Sequence, residues 1–275
     1  TRDDLYDFLD NGGRALILVD PVGMDPRAGL NATTNLNDFS DFVERYGVKV
    51  EEDLVFDTEF SATLVLGTNI GNRRVQYPYY PHIDVVDEKV SGNINGVTLA
   101  WASSMGISEP EYPNIEISKL LETSEFAAID FNPGSLTPDA PVFQELSDEN
   151  RVKSLTGVTV TGPSSIQDAN QTKSDYFRLV VISDSDWLTE NVVNGTEANL
   201  ALGLNLVDWL AQEDMLAEIR SKVTSSRRLD FPSLTRKNIV QYVNILGVPS
   251  AIILLGLLRY ARRRTTSLME YKNEN

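Results

Sequence analysis

The 275-residue chain contains no cysteine. Disulfides, thiolate nucleophiles and cysteine-ligated zinc or iron–sulfur centres are therefore excluded. The redox compartment stays open, because an exported protein need not carry disulfides. Histidine is almost missing too. His82, in "YPYYPHID", is the single one, so a multi-histidine metal site is nearly excluded, as is a His-based triad, which would have to use this one residue. Its setting among prolines and acids reads as a surface loop rather than a catalytic position. The chain also lacks a P-loop glycine–lysine motif, a dinucleotide-binding glycine fingerprint after a strand, and a G-x-S-x-G nucleophile elbow. It is not itself an ATPase of the P-loop type. No repeat of fixed period occurs.

Basic charge is scarce and unevenly placed. Against 40 Asp+Glu the chain has 24 Lys+Arg, a net of −16. Residues 1–235 hold 17 basic and 38 acidic residues, net −21, while residues 236–275 hold 7 and 2, net +5. The acidic body disfavours nucleic acid as a partner and repels anionic headgroups; the tail does the opposite.

Ile239 to Leu258, "IVQYVNILGVPSAIILLGLL", contains 20 residues without a formal charge. As a helix this is about 30 Å long, the thickness of a hydrocarbon core. It runs directly into Arg259, Arg262, Arg263 and Arg264. Arginines at the end of an apolar span favour the cytoplasmic side. The expectation is a single C-terminal transmembrane helix at 239–258, a linker at 226–238 and a basic cytoplasmic tail at 259–275. The competing reading is a buried helix of a soluble domain. Within the span, Gly247 and Ala251 stand four apart, and Pro249 lies between them. Small residues at that spacing let another helix approach closely, so Gly247, Pro249 and Ala251 are the candidate partner-packing positions. Position 1 is Thr, and no export signal precedes the body, which reads as a fragment or as a chain that begins after an unseen segment.

Residues 1–225 read as one extracytoplasmic α/β domain with a β-rich middle. "DDLYDFLDNGGRALILVDP" predicts a helix with Leu5, Phe8 and Leu9 on one face, a stop at Gly12–Gly13, then a strand over 14–19. "NLNDFSDFVERYGVKV" repeats this, with Asn35 as cap, Phe39, Phe42, Val43 and Tyr46 on one face and Gly47 as stop. Helix, glycine, strand is the order of an α/β layer. Over 62–165 the short runs "ATLVLG", "GVTLAWA", "IEISKL" and "GVTVTG" predict strands, and 136–150 a polar loop with a helical turn. "NLALGLNLVDWLAQED" predicts a helix capped near Asn199, with Leu200, Leu204, Val207 and Leu210 as its apolar face.

"RLVVISDSDWLTEN" is the one stretch that suggests chemistry. An apolar strand runs into Asp184 and Asp186. The D-x-D pattern resembles the start of aspartyl-phosphate phosphatases, but Leu188 stands where those carry Thr or Val, and none of their later motifs follows. A turn that caps a helix starting near Trp187 is the structural reading. A divalent cation held by Asp184 and Asp186 is the alternative, and it lacks further oxygen ligands. No cofactor site is visible.

The order "DFLDNGGRALILVDP", "FVERYGVKVEEDLVFD", "NGVTLAWASSM", "LLETSEFA", "RLVVISDSDWL", "NLALGLNLVDWLAQED" and "ILGVPSAIILLGLLRYARRR" resembles the gliding-motility-type auxiliary component of ABC transporters. The resemblance implies an exported domain with a flavodoxin-like or glutamine-amidotransferase-like fold, related to a domain of intraflagellar-transport proteins. It also implies a non-enzymatic, membrane-anchored subunit working beside an ABC permease and, through it, an ATPase subunit. Amidotransferase-like folds normally use a Cys nucleophile, which this chain lacks. The chain departs from the usual layout in having no N-terminal helix span and no first half of the α/β domain. A structural subunit of another membrane assembly, or a membrane-tethered Asp-dependent hydrolase, are the alternative functions.

Overall fold

The computed structural model describes residues 2–24, 30–35, 39–68, 71–144, 146–164, 176–193, 197–211, 242–247, 249–250, 253–257 and 259. The chain divides into two units, Thr1–Ser225 and Ser226–Asn275.

In the first unit the elements follow as α1 (Arg2–Asp10), β1 (Arg14–Leu18), β2 (Val22–Met24), β3 (Ala32–Thr34), α2 (Ser40–Glu44), β4 (Val48–Val50), β5 (Leu54–Asp57), β6 (Ser61–Thr68), β7 (Gly71–Val85), α3 (Glu88–Ser91), β8 (Gly96–Thr98), β9 (Met105–Ile107), β10 (Glu116–Glu122), β11 (Ala127–Asp130), β12 (Leu155–Pro163), β13 (Tyr176–Ile182), α4 (Glu190–Val193) and α5 (Glu197–Leu210). Among the described residues one nine-stranded sheet runs β1-β13-β12-β10-β7-β6, with β8 on β7 and β9 on β12 and β4. β1 and β13 are parallel, Arg14 opposite Arg178 through Leu18 opposite Ile182. The other described pairs are antiparallel.

The mixed α/β class is therefore as expected. The flavodoxin-like form needs several adjacent parallel strands; here one parallel pair sits in an otherwise antiparallel sheet.

β13 explains the layering. Its apolar run alternates between two cores: Val180 and Ile182 face one, Phe177, Leu179 and Val181 the other. A strand apolar on both sides must be covered on both sides. α3 and α5 supply Val90, Leu202, Leu206 and Trp209 to the first core, where Trp187 is fully buried. α1 and α2 supply Leu9, Phe42 and Val43 to the second, which Tyr46 completes. Gly47 closes α2 at φ +84°, and a Cβ there would come within 2.9 Å of the Ser108 carbonyl oxygen, so both conformation and space require glycine.

A third core lies at β5, β7 and β11, built on Phe56, Tyr77, Tyr79, Tyr80 and Leu136. β7 was not expected as a strand, since Pro78 and Pro81 interrupt its pattern. The ladder accommodates Pro78 by a bulge and keeps Pro81 in register. Ser61 pairs with Pro81 and Thr63 with Gln76, so a single β6 residue spans the four residues Tyr77 to Tyr80. His82 thus lies in a strand and not in a surface loop; its Nδ1 is 2.8 Å from Thr98 Oγ1.

Of the expected apolar face of α5, Leu210 packs against the first core, but the rest is inverted. Leu200, Leu204 and Val207 are exposed at 52, 46 and 57%, while Asn199, Leu202, Gly203, Asn205, Leu206, Asp208 and Trp209 are buried. Asn199 is not a cap. It lies in the first turn of α5, where its side-chain oxygen accepts from Thr98 N at 2.9 Å and its amide donates to the carbonyls of Thr98 at 2.7 Å and Trp187 at 2.8 Å. The helix expected to start near Trp187 begins instead at Glu190.

In the second unit, the described part of the expected span is a π-helical turn at Val243–Gly247 and helical residues at 249–250 and 253–257. Among the described residues no helix is long and apolar enough to cross a membrane. The expected linker at 226–238 and tail at 260–275 lie outside the described residues, as does Ala251.

Replacing Asn199 by Ala should cost about 3 kcal/mol in chemical denaturation, because it strands buried groups of Thr98 and Trp187. Leu204→Ser should change stability by less than about 0.5 kcal/mol. Equal losses would contradict the burial of the polar face of α5.

Candidate functional site

In α/β sheets, ligands collect beyond the carboxyl ends of parallel strands. Here β1 and β13 both end in an apolar run followed by aspartate, Asp20 and Asp184. Around them gather Ser185, Asp186, the bulged tyrosines of β7 and the segment Leu99–Ser104.

Asp184 is fully buried. Its Oδ1 accepts from the backbone N–H of Asp186 at 2.6 Å and of Trp187 at 3.1 Å, and its Oδ2 from Ala100 N at 2.5 Å. The first two close the turn after β13; the third ties that turn to the Leu99–Ser104 segment. Burial drives the Asp184 pKa well above the ordinary carboxylate value, against the opposing effect of the backbone donors.

Neighbouring bonds sew the same seam. Ser183 Oγ donates to the carbonyl oxygens of Ser103 at 2.5 Å and Thr156 at 3.2 Å. Asp53 accepts from Ser104 N and Ser104 Oγ, both at 2.7 Å, and its own carbonyl accepts from Ser103 Oγ at 2.7 Å. Burial raises the Asp53 pKa as well.

Asp186 is placed differently. It is half-buried, its pKa is raised by burial, and among the described residues its carboxylate makes no hydrogen bond or ion pair. Beside it Ser185 Oγ donates to Asp20 Oδ2 at 2.9 Å. The Asp-Ser-Asp stretch therefore divides its labour: one carboxylate holds backbone, the other faces the rim. They do not form a common chelate, and among the described residues no group of three or more His, Asp or Glu is arranged to hold a metal.

Aromatic rings frame this rim. Tyr80 meets Trp101 edge-on at 5.0 Å and Tyr77 at 4.9 Å. Trp101 Nε1 donates to the Tyr77 hydroxyl at 2.9 Å, which itself donates to the Leu136 carbonyl at 2.6 Å. Tyr79 donates to Asp130 Oδ2 at 2.6 Å. Burial pushes the Tyr77 pKa up to about 12. It also raises Tyr80, where the negative charges of Asp186 and Asp184 add to the effect. Trp101 adopts φ +60°, a left-handed conformation costly for a bulky side chain. The Ala100–Asp184 bond and the ring contacts hold it there.

The arrangement offers hydrogen-bond acceptors beside aromatic edges. It brings no imidazole to Ser185, so the Ser185–Asp20 contact lacks the proton shuttle of a nucleophilic serine. Sequence reasoning singled out Asp184 and Asp186 but missed Asp20, Tyr77, Tyr80 and Trp101. The repeated ending "LVD" and "ISD" and the run "YPYYP" were the available signals. Of the candidate packing positions, Gly247 closes the π turn and Pro249 is helical and exposed.

Residues 1–218 match the auxiliary-component family described as an ABC-type uncharacterized transport system. The chain belongs to that family. A curated relative from Borreliella burgdorferi (strain B31), called an uncharacterized protein, is 22% identical over 269 residues. The match covers 94% of this chain and 52% of the relative, so the chain spans about half the relative's length. No solved structure matches.

Linkage gives the sign of a pH test. A carboxyl whose folded-state pKa lies above its unfolded value of 3.8 binds its proton first in the native state. Its contribution to stability therefore grows as pH falls from the folded pKa towards the unfolded one, and is lost as pH rises. Asp184→Asn should flatten the rise in stability as pH falls towards the unfolded value of 3.8. Asp184→Ala should cost about 3 kcal/mol or more at every pH, since three backbone donors lose their acceptor. An unchanged pH slope in Asp184→Asn would refute the buried, proton-taking role.

Proposed function

We propose that the chain is a non-catalytic, membrane-anchored accessory subunit of an ABC-type transport system. In this reading, residues 1–225 form an extracytoplasmic domain that binds a partner or cargo at the acidic, aromatic rim. Residues 226–238 link it to a span at 239–258, and residues 259–275 are the cytoplasmic tail. Gly247, Pro249 and Ala251 pack against a permease helix, and the permease recruits the ATPase subunit.

The observation that carries this is the family match over residues 1–218. It is supported by the second unit, where Tyr242, Val243, Ile245, Leu246, Ile253, Leu254, Leu255 and Leu257 are each at least 56% exposed. Apolar surface of that density needs lipid or another helix to cover it. An Asp-dependent hydrolase would need Asp184 and Asp186 to face one ligand, and the commitment of Asp184 to backbone donors speaks against it.

Extraction in mild detergent should co-purify the chain with a permease and an ATPase subunit. Replacing both Gly247 and Ala251 by Leu should lower permease recovery by about tenfold while leaving the chain in the membrane fraction, as expected for the loss of ~1–2 kcal/mol of helix packing. Recovery of the wild-type chain alone would overturn the proposal.

A further inference from the structure

Two polar groups at the rim are left unused by the rest of the protein. Asp186 is half-buried, and among the described residues its carboxylate has no hydrogen bond or ion pair. Tyr80 is 9% exposed, and among the described residues its hydroxyl has no partner either. The other two tyrosines of the bulge spend theirs on protein, Tyr77 on the Leu136 carbonyl and Tyr79 on Asp130. A buried phenol ordinarily finds a hydrogen-bond partner, so the Tyr80 hydroxyl marks an open position.

Strand register brings the two groups together. β7 and β8 pair His82 with Thr98 through Asp84 with Gly96. The same register continues past β8, where Leu99 N donates to the Pro81 carbonyl and Trp101 N to the Tyr79 carbonyl. Tyr80 therefore sits opposite Ala100, whose own N–H turns away to Asp184 Oδ2. The turn that carries Asp184 and Asp186 is thus fastened beside Tyr80, and the negative charges of both act on its hydroxyl. The half-buried Trp101 ring lies against the Tyr80 ring, 5.0 Å between centroids.

No cation of the rim itself answers this charge. The segments that build it, 15–26, 75–88, 90–118 and 179–219, contain neither Lys nor Arg. Elsewhere acids such as Glu51, Glu122 and Asp148 each have a basic partner. A divalent metal would want about six oxygen ligands. Asp184 is already spent on backbone, and among the described residues no metal-holding group is assembled. An alkylammonium asks for less: three acceptors for its three N–H bonds, and apolar contact for its stem. The two oxygens of Asp186, the Tyr80 hydroxyl oxygen and the Trp101 ring are that set.

We propose that the rim binds an alkylammonium group, the nitrogen held by the Asp186 carboxylate and the Tyr80 hydroxyl and the stem lying along Trp101. The proposal rests on the reading that the rim is the domain's binding surface, and it names the chemistry of what binds there. A free amine and a lysine side chain of a partner both carry it.

The full chain, with nitrogen-15 in its three tryptophans, is titrated in mild detergent with butylammonium chloride at millimolar concentration, and the indole N–H signals are followed by NMR. The Trp101 signal, identified by its loss in Trp101→Phe, should move saturably. The signal of Trp187, fully buried in the first core, should stay. Asp186→Asn should weaken binding about tenfold or more and Tyr80→Phe about fivefold, the losses of a charge-assisted and a neutral hydrogen bond. Asp186→Asn removes no side-chain contact among the described residues, and thermal melting should show it folded. Glu149→Gln, which removes an exposed acid outside the rim, should leave binding unchanged. A response to butylammonium but not to a short capped lysine peptide assigns the rim to a free amine; an equal response to both assigns it to a lysine side chain. Equal shifts with sodium chloride or butanol, or an undiminished response in Asp186→Asn, overturn the proposal. Saturation by magnesium chloride at lower concentration also overturns it, in favour of a metal site. An unmoved Trp101 in a chain that still co-purifies with the permease overturns this proposal alone. Loss of co-purification with a saturable Trp101 shift overturns the accessory role and leaves the amine site in place.

Discussion

Asp184 is a carboxylate with no access to water, and its three backbone donors come from two separate segments of the chain. Burying such a group is costly, and the cost is offset only while every acceptor site is used. The turn after β13 and the Leu99–Ser104 segment are thereby locked to one another. That lock places Trp101 in its left-handed conformation against Tyr77 and Tyr80, and leaves Asp186 at the surface. Without it the rim would have neither its aromatic wall nor its free carboxylate.

The same economy runs through the rest of the seam. Asp53, Ser103, Ser104, Thr156 and Ser183 are all buried. Ser183 and Asp53 bind backbone of distant segments, so polar groups join apolar Val19 and Trp187 in holding the loops at the carboxyl ends of β1 and β13. Apolar packing governs the two faces of the sheet. A loop network of this kind is rigid when complete and fails as a unit.

Charge is also unevenly distributed within the first unit. Carboxylates are spread over most of the chain and repel anionic surfaces, while Phe60 to Ile83 forms a 24-residue window free of acid.

Local signals in the sequence determined a good deal. The apolar run at 178–182 is a strand covered on both faces because no other placement hides two apolar sides. Gly47 ends its helix because φ +84° suits no other residue as well. The missing cysteine and lone histidine ruled out whole classes of chemistry without any coordinates. Tertiary structure alone decided three other matters. α5 is apolar nearly all round, so periodicity offered two possible inner faces. Asn199, by satisfying Thr98 and Trp187, selected the one that sequence reasoning had assigned to solvent. Tyr77 to Tyr80 became part of a strand because a bulge relieved Pro78 of ladder duty, a choice made by the β6 partner. Asp184 and Asp186, alike in sequence, parted roles because one met an N–H from a segment 84 residues away and the other met the surface. Contacts between distant segments decide such questions, and no local pattern encodes them.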